Sequence, residues 1–346
     1  MGRRVLITGL GTFWGSRVAQ ALEADPDVDV IVGLDRHEPT VPLERTEYVR
    51  SDENYSILSR IVEATKVDTI VHTFLVVDST QMQARTMHEI NVIGTMNLFA
   101  AASAAGSTVR EVVVKSSSQV YGTAAQDPVW FTESTPRVNP PRTLVERNLE
   151  EVEGYVRDFA EDNPHVNVTL LRFSNVLGPD IVTPLGRALA MPVVPSVWGF
   201  DPRLQFVHED DVIRVLLFVL DRHLPGIYNV AGDGLVPWSE VAKICGKRTF
   251  PLPPLATGLG TWPLRRLGVP LPDELISLLR YGRGIDNRRL KRAGFEYRYT
   301  SAGAVKAFVE ALRLRETVGD DEPSYRYERD VEAFFRHSSA VVRDLD

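Results

Sequence analysis

The feature that most constrains this chain lies in its first 35 residues. An apolar triplet, Val5-Leu6-Ile7, runs into the turn Thr8-Gly9-Leu10-Gly11-Thr12-Phe13-Trp14-Gly15. Next come apolar residues at helical spacing (Val18, Ala21, Leu22) and a second apolar run from Asp29 to Leu34 that ends on Asp35. A short strand, a glycine turn, an amphipathic helix and another strand make a βαβ unit, whose crossover forces the two strands to run parallel. A parallel sheet needs helices on both faces, so one such unit commits the domain to a layered α/β architecture.

The same unit carries chemistry. A glycine turn at the start of a helix aims backbone N–H groups and the positive end of the helix dipole at a phosphate. A carboxylate about 20 residues beyond the last glycine accepts hydrogen bonds from an adenosine ribose. Gly9, Gly11, Thr12, Phe13, Trp14, Gly15 and Asp35 therefore read as a dinucleotide site. The charge on Asp35 opposes a 2′-phosphate and favours NAD over NADP, although Arg36 and His37 beside it offer cations to such a group. At position 12 the side chain either crowds a pyrophosphate or hydrogen-bonds to it.

Composition narrows the rest. With 346 residues, 44% of them hydrophobic, the chain exceeds what one simple core serves, and one α/β unit plus a smaller appended part is expected. A net charge of −7 without a basic block interleaved with aromatics excludes nucleic acid as an expected partner. A single cysteine, Cys245, rules out an internal disulfide and a cysteine-rich zinc site and fits a reducing compartment. His208 reads as a structural histidine, and no spaced ligand set argues for a metal. Val5-Leu6-Ile7 is too short for a signal peptide, and the apolar stretch from Val212 to Leu220 contains Arg214, so neither export nor a membrane span is expected and the cytoplasm is the expected location.

Downstream, Val67 to His72 reads as a buried strand, Glu89 to Ala105 as a helix, and Val112 to Lys115 as a strand that delivers Ser116-Ser117-Ser118-Gln119-Val120-Tyr121-Gly122. Leu170 to Pro179, Arg203 to Asp211 and Gly226 to Ala231 return the chain to this first unit. Together with the glycine turn, these segments resemble the extended short-chain dehydrogenase/reductase family, in its NAD-dependent sugar-nucleotide epimerase and dehydratase branch, and most resemble its UDP-glucose/UDP-galactose 4-epimerases. The resemblance implies a Rossmann-like doubly wound parallel sheet over 1–178, with return segments near 204–232. The smaller substrate part is expected over 179–203 and 233–315, and an acidic, partly helical tail over 316–346.

It also implies roles for particular residues. Asp52 falls near the adenine, Thr73, Phe74 and Leu75 near the cofactor ribose and phosphates, and Asn91 near the active centre; a loop cap and a helix hydrogen bond are equal readings for Asp52 and Asn91. Ser117 orients the sugar oxygen. Ser118, Asn175 and Arg203 fall to the substrate, a nucleotide sugar, with Arg280 and Arg283 as nearby substitutes for an unrecognisable arginine motif. The stripe Val145, Leu149, Val152, Val156 and Phe159 serves either a homodimeric helix bundle or burial within its own domain.

One part of the family pattern is missing. None of the ten tyrosines has a lysine four residues on, and no lysine occurs between Lys115 and Lys243. Where the family's Tyr-x-x-x-Lys helix follows the serines, this chain reads Thr143-Leu144-Val145-Glu146-Arg147. Threonine lacks a titration near neutrality, whereas Arg147 keeps a charge for a ribose. The chain then reads either as an NAD-dependent epimerase or dehydratase with a substituted base, for which Tyr121, Tyr155 and Glu146 are further options, or as a dinucleotide-binding sensor or partner that has lost turnover. Residues 250–275, rich in Pro, Gly and Leu, read as an irregular lid or a packed surface loop before a helix at Asp273 to Arg280.

Overall fold

The computed structural model describes residues 2–52, 54–253 and 271–318. The glycine unit forms as expected: β1 (Arg3–Thr8), α1 (Phe13–Glu23) and β2 (Val28–Asp35), with Asp35 as the last residue of its strand. There follow β3 (Thr46–Arg50), α2 (Tyr55–Thr65), β4 (Thr69–His72), α3 (Ala84–His88), α4 (Gly94–Ala102) and β5 (Glu111–Ser117). The next elements are β6 (Trp130–Phe131), α5 (Leu144–Asp162), β7 (Asn167–Phe173), β8 (Asn175–Leu177), α6 (Pro184–Ala190) and β9 (Val193–Val197). β10 (Arg203–Leu204), β11 (Phe206–His208), α7 (Glu209–Arg222) and β12 (Gly226–Val230) complete the framework.

Seven strands form one parallel sheet in the order β12-β7-β5-β4-β1-β2-β3. The order reverses between β1 and β4, so the carboxyl ends of β1 and β4 open a crevice at the switch point, where this topology places ligands. Alternate residues of each strand feed two separate cores. Ile7, Val71 and Val113 pack with Val18 and Leu22 of α1 and Val212 and Val215 of α7; Leu6, Ile70, Val112 and Val114 pack with Leu58 of α2, Leu98 of α4 and Val152 and Val156 of α5. Burial on both faces explains why the strands read as unbroken apolar runs rather than as alternating ones.

Between α3 and α4 the helix loosens into a π turn, Glu89–Ile93, which helical periodicity did not indicate. β5 extends two residues beyond the expected strand, so Ser116 and Ser117 are strand residues with opposite facing. β12 joins the main sheet beside β7, and β11 pairs with β8 in a separate two-stranded sheet. A third core, built on Leu185, Leu189, Val197, Leu204, Phe206, Trp238 and Leu279, holds the appended part. The helix expected at 273–280 is Asp273–Tyr281, and a further helix, Ser301–Val318, crosses the boundary expected at 315. Most of the proline-rich segment, 254–270, and the acidic tail from 319 onward lie outside the described residues.

The stripe Val145, Leu149, Val152, Val156 and Phe159 is 0–5% exposed and packs on the chain's own sheet and serine loop. It is therefore not a surface for a helix bundle, and the homodimer expectation loses its basis. His208 caps α7, accepting from the Asp210 N–H at 3.2 Å, and stacks on Tyr299, which is the structural role expected of it. No helix among the described residues is long and apolar enough to cross a membrane.

Candidate functional site

The glycine turn is closely built. Gly9 has φ +78°, and a Cβ there would stand 2.7 Å from the Phe74 backbone. One on Gly11 would meet the His37 carbonyl at 2.6 Å, and one on Gly15 the Gly9 carbonyl at 2.2 Å. Each glycine is thus required by backbone packed against it. Thr12 neither crowds the crevice nor reaches into it. Its hydroxyl donates to the Gly9 carbonyl at 2.7 Å and accepts from the Gly15 N–H at 3.2 Å, capping α1 from inside the turn. Phe13 and Trp14, the first two helical residues, have N–H groups that no intrahelical carbonyl can reach.

Asp35 holds this turn. Its carboxylate accepts from the Gly11 N–H at 3.0 Å and from the His37 N–H at 2.9 Å. Arg36, the side chain that a 2′-phosphate would need, pairs instead with Asp52 at 2.5 Å. Across the crevice, Thr73 binds the Thr8 carbonyl through its hydroxyl at 2.8 Å, and Phe74 lies against Gly9. Asn91, on the π turn, uses both ends of its amide on Val76, accepting from its N–H at 2.7 Å and donating to its carbonyl at 2.8 Å. Asn91 therefore positions the loop after β4 through its backbone. His72 bridges Thr8 and Thr95 at 2.8 and 2.9 Å; burial and the nearby Lys115 charge push it down to about 3, so it stays neutral.

At the end of β5 the three serines part company. Ser116 donates to Glu153 of α5 at 2.7 Å, while Ser117, on the other face, accepts from the Gln119 N–H at 3.2 Å. The Ser118 carbonyl accepts from Arg283 at 2.6 Å, a buried arginine 165 residues away that burial pushes down to about 10. Glu153 also forms a buried ion pair with Arg172, whose guanidinium donates to the Tyr121 hydroxyl at 2.8 Å; that hydroxyl in turn donates to Asn229 at 2.7 Å. Burial raises the Tyr121 pKa, and both sides of its hydroxyl are engaged, so it braces the serine loop and is no base. Asn175 donates to the Gln205 carbonyl at 2.8 Å, and Arg203 is exposed on β10.

Lys115, two residues before Ser117, was unremarked in the sequence as a site residue. It is 4% exposed. Its ammonium donates to the Leu75 carbonyl at 2.5 Å and lies 5.0 Å from the centre of the Trp14 ring, which packs edge-on against Phe173. Burial without a compensating carboxylate pushes its pKa down to about 7.

The assignment of Thr143 and Arg147 needs correction. Thr143 is the N-cap of α5, its hydroxyl accepting from the Glu146 N–H at 3.1 Å. Arg147 is exposed. It lies two residues from Val145, about 200° around the helix, and so opposite the face that packs on the sheet. The inward residues four apart are Val145 and Leu149, both apolar, packed with Tyr121 and Phe131. Glu146, a further option for the base, is 6% exposed, pairs with Arg137 and accepts from the Arg142 N–H at 2.8 Å. Tyr155 is exposed on the outer side of α5.

The profile of the NAD dependent epimerase/dehydratase family matches residues 5–231. An uncharacterized Mycobacterium tuberculosis protein is 33% identical over 322 residues, covering 90% of this chain and 84% of its own length. The dTDP-D-glucose 4,6-dehydratase of Mus musculus is 28% identical over 260 residues, 70% of this chain and 71% of its own. Among solved structures, UDP-glucose 4-epimerase from Thermotoga maritima with UDP-glucose superposes with a TM-score of 0.68 at 17% identity, covering 90% of this chain and 99% of that one. The dTDP-glucose 4,6-dehydratase from Bacillus anthracis in complex with NAD gives 0.69 at 18% identity, covering 91% and 98%.

Proposed function

Because the chain belongs to the NAD-dependent epimerase/dehydratase family, we propose that it binds NAD at the glycine turn and acts on the sugar of a nucleotide sugar, most like UDP-glucose/UDP-galactose 4-epimerase. The observation that carries this reading is the tight turn of Gly9, Gly11 and Gly15, where backbone packs too closely for any Cβ, held by the Asp35 carboxylate at the end of β2. Arg36, turned to Asp52, supports NAD over NADP. Proteins of the same fold bound to NAD and to UDP-glucose support the cofactor and the substrate class.

Bound NAD supplies reversible two-electron chemistry at its nicotinamide. The residues divide the remaining work. The Phe13 and Trp14 N–H groups would hold the pyrophosphate, Asp35 the adenosine ribose, and Thr73 to Leu75 would lie near the cofactor ribose and phosphates. Ser117 orients the sugar hydroxyl, and Ser118, Asn175, Arg203 and Arg283 surround the nucleotide diphosphate. A second reading, a dinucleotide-binding sensor without turnover, draws on the apolar pair Val145 and Leu149 on the inward face of α5. Incubation with UDP-galactose and NAD separates the two. UDP-glucose above a no-enzyme control, abolished in Ser117→Ala, supports the first reading. NAD binding by calorimetry without any product supports the second, and activity that survives Ser117→Ala removes Ser117 from the site.

A further inference from the structure

Nothing in the roles above uses the most unusual group in the crevice. Among the described residues Lys115 makes one hydrogen bond, to Leu75, and no ion pair, although it is almost wholly buried. Its two contacts come from different elements at the carboxyl end of the sheet, the Trp14 ring from the start of α1 and the Leu75 carbonyl from the loop after β4, and Ser117 follows two residues on along β5 itself. Residues 115 and 117 share a strand face, about 7 Å apart along the strand. The amine thus stands where the glycine turn, the β4 loop and the serine motif converge.

Resting on the NAD and nucleotide-sugar reading above, we propose that the Lys115 amine is the proton-exchanging group of this site, delivered from strand β5 instead of from helix α5. In the oxidative half of the reaction the substrate O–H bond breaks and its proton goes to the lone pair of Nζ, giving an ammonium. The electron pair of the neighbouring C–H bond leaves with its hydrogen to the oxidised nicotinamide dinucleotide, which is the oxidant, and the carbon becomes a carbonyl. In the return half the ammonium gives its proton back to the oxygen as the carbonyl is reduced, so the proton account closes without solvent. Ser117, on the same strand face, orients the hydroxyl that loses the proton.

The electrical surroundings suit this role. Among the described residues no charged side chain pairs with Lys115: His72 of β4, in register with Val114, lies on the opposite face of the sheet and is itself held neutral, and α1 and the β4 loop present a ring and a carbonyl. Burial brings the amine's proton exchange to near neutrality, the range where a general base works best. Arginine could not substitute, since a guanidinium does not release its proton.

Biosynthetic labelling with ε-13C-lysine gives one NMR signal for each of the six lysines, and the Lys115 signal is the one absent from Lys115→Met. It is expected to titrate with a midpoint near neutrality. Saturating NAD, with its cationic ring, is expected to lower that midpoint more than NADH does. Lys115→Met and Lys115→Arg are expected to lose roughly 10²- to 10⁴-fold in kcat while NAD affinity changes by less than about threefold. A Lys115 signal that titrates with the surface lysines, equal midpoints with NAD and NADH, or a wild-type kcat in either variant overturns the inference alone. Failure of the unmodified protein to bind any nicotinamide dinucleotide overturns the functional reading and this inference with it.

Discussion

Replacing Lys115 with methionine should stabilise the protein at acidic pH and destabilise it at alkaline pH. The unfolded chain holds the lysine proton up to about 10.4, whereas burial makes the folded chain release it near 7. Between those values unfolding takes up a proton, so stability rises with pH across this window; the penalty is complete below pH 7 and gone above about 10.4. At about 1.4 kcal/mol per pKa unit, the fall from 10.5 to about 7 sets a ceiling near 5 kcal/mol. Methionine nearly matches the side chain in volume but leaves the Leu75 carbonyl without its donor, a loss of about 1–3 kcal/mol. Lys115→Met is therefore expected to be more stable by about 2–4 kcal/mol at pH 6 and less stable by about 1–3 kcal/mol at pH 10.5. Urea unfolding of both proteins at these two pH values measures the difference. A difference of one sign at both would show that Lys115 carries an ordinary pKa in the fold.

Other substitutions test the remaining parts. Glu153→Ala leaves the Arg172 charge buried and Ser116 without its acceptor, and a loss of about 3–5 kcal/mol is expected in denaturant unfolding; a loss below about 1 kcal/mol would mean the network is not buried as described. Asp35→Ala should weaken NAD at least about tenfold by calorimetry and narrow its advantage over NADP, since hydrogen bonds to a charged group contribute about 1.5–3 kcal/mol each. Thr143→Ala should cost about 1 kcal/mol through the lost helix cap while kcat stays unchanged. Arg147→Ala, on the outer face, should move stability by less than about 0.5 kcal/mol and leave kcat alone, and a large fall in kcat for either would restore them to the active centre.

What the sequence revealed about this fold was mostly local. The strand, glycine turn, helix and Asp35 lie within one βαβ unit, so periodicity and spacing alone located them, and the apolar runs of β4, β5 and β7 marked a sheet buried on both faces. The helix after the serines shows where locality can mislead. Counting from the serine motif put the catalytic pair at Thr143 and Arg147, yet the stripe through Val145, Leu149, Val152 and Val156 already placed Arg147 on the opposite side. The pattern Thr143-Leu144-Val145-Glu146 is likewise a helix-start signature, and the structure uses the threonine as a cap. Lys115, Arg283 and the Glu153–Arg172–Tyr121 network were illegible for another reason. Their meaning depends on partners from distant segments: Trp14 and Leu75 for the lysine, and Ser118 for the arginine 165 residues on. An isolated lysine after three valines looks like the end of a strand until those partners enclose it.

The central claim is a dinucleotide site that reads NAD through Asp35, and calorimetric titration of the purified protein with NAD and NADP tests it most directly. Saturable binding of NAD, about tenfold or more tighter than NADP, is the predicted result, because a 2′-phosphate meets the Asp35 charge while Arg36 is held by Asp52. Tighter binding of NADP, or no binding of either, would contradict it.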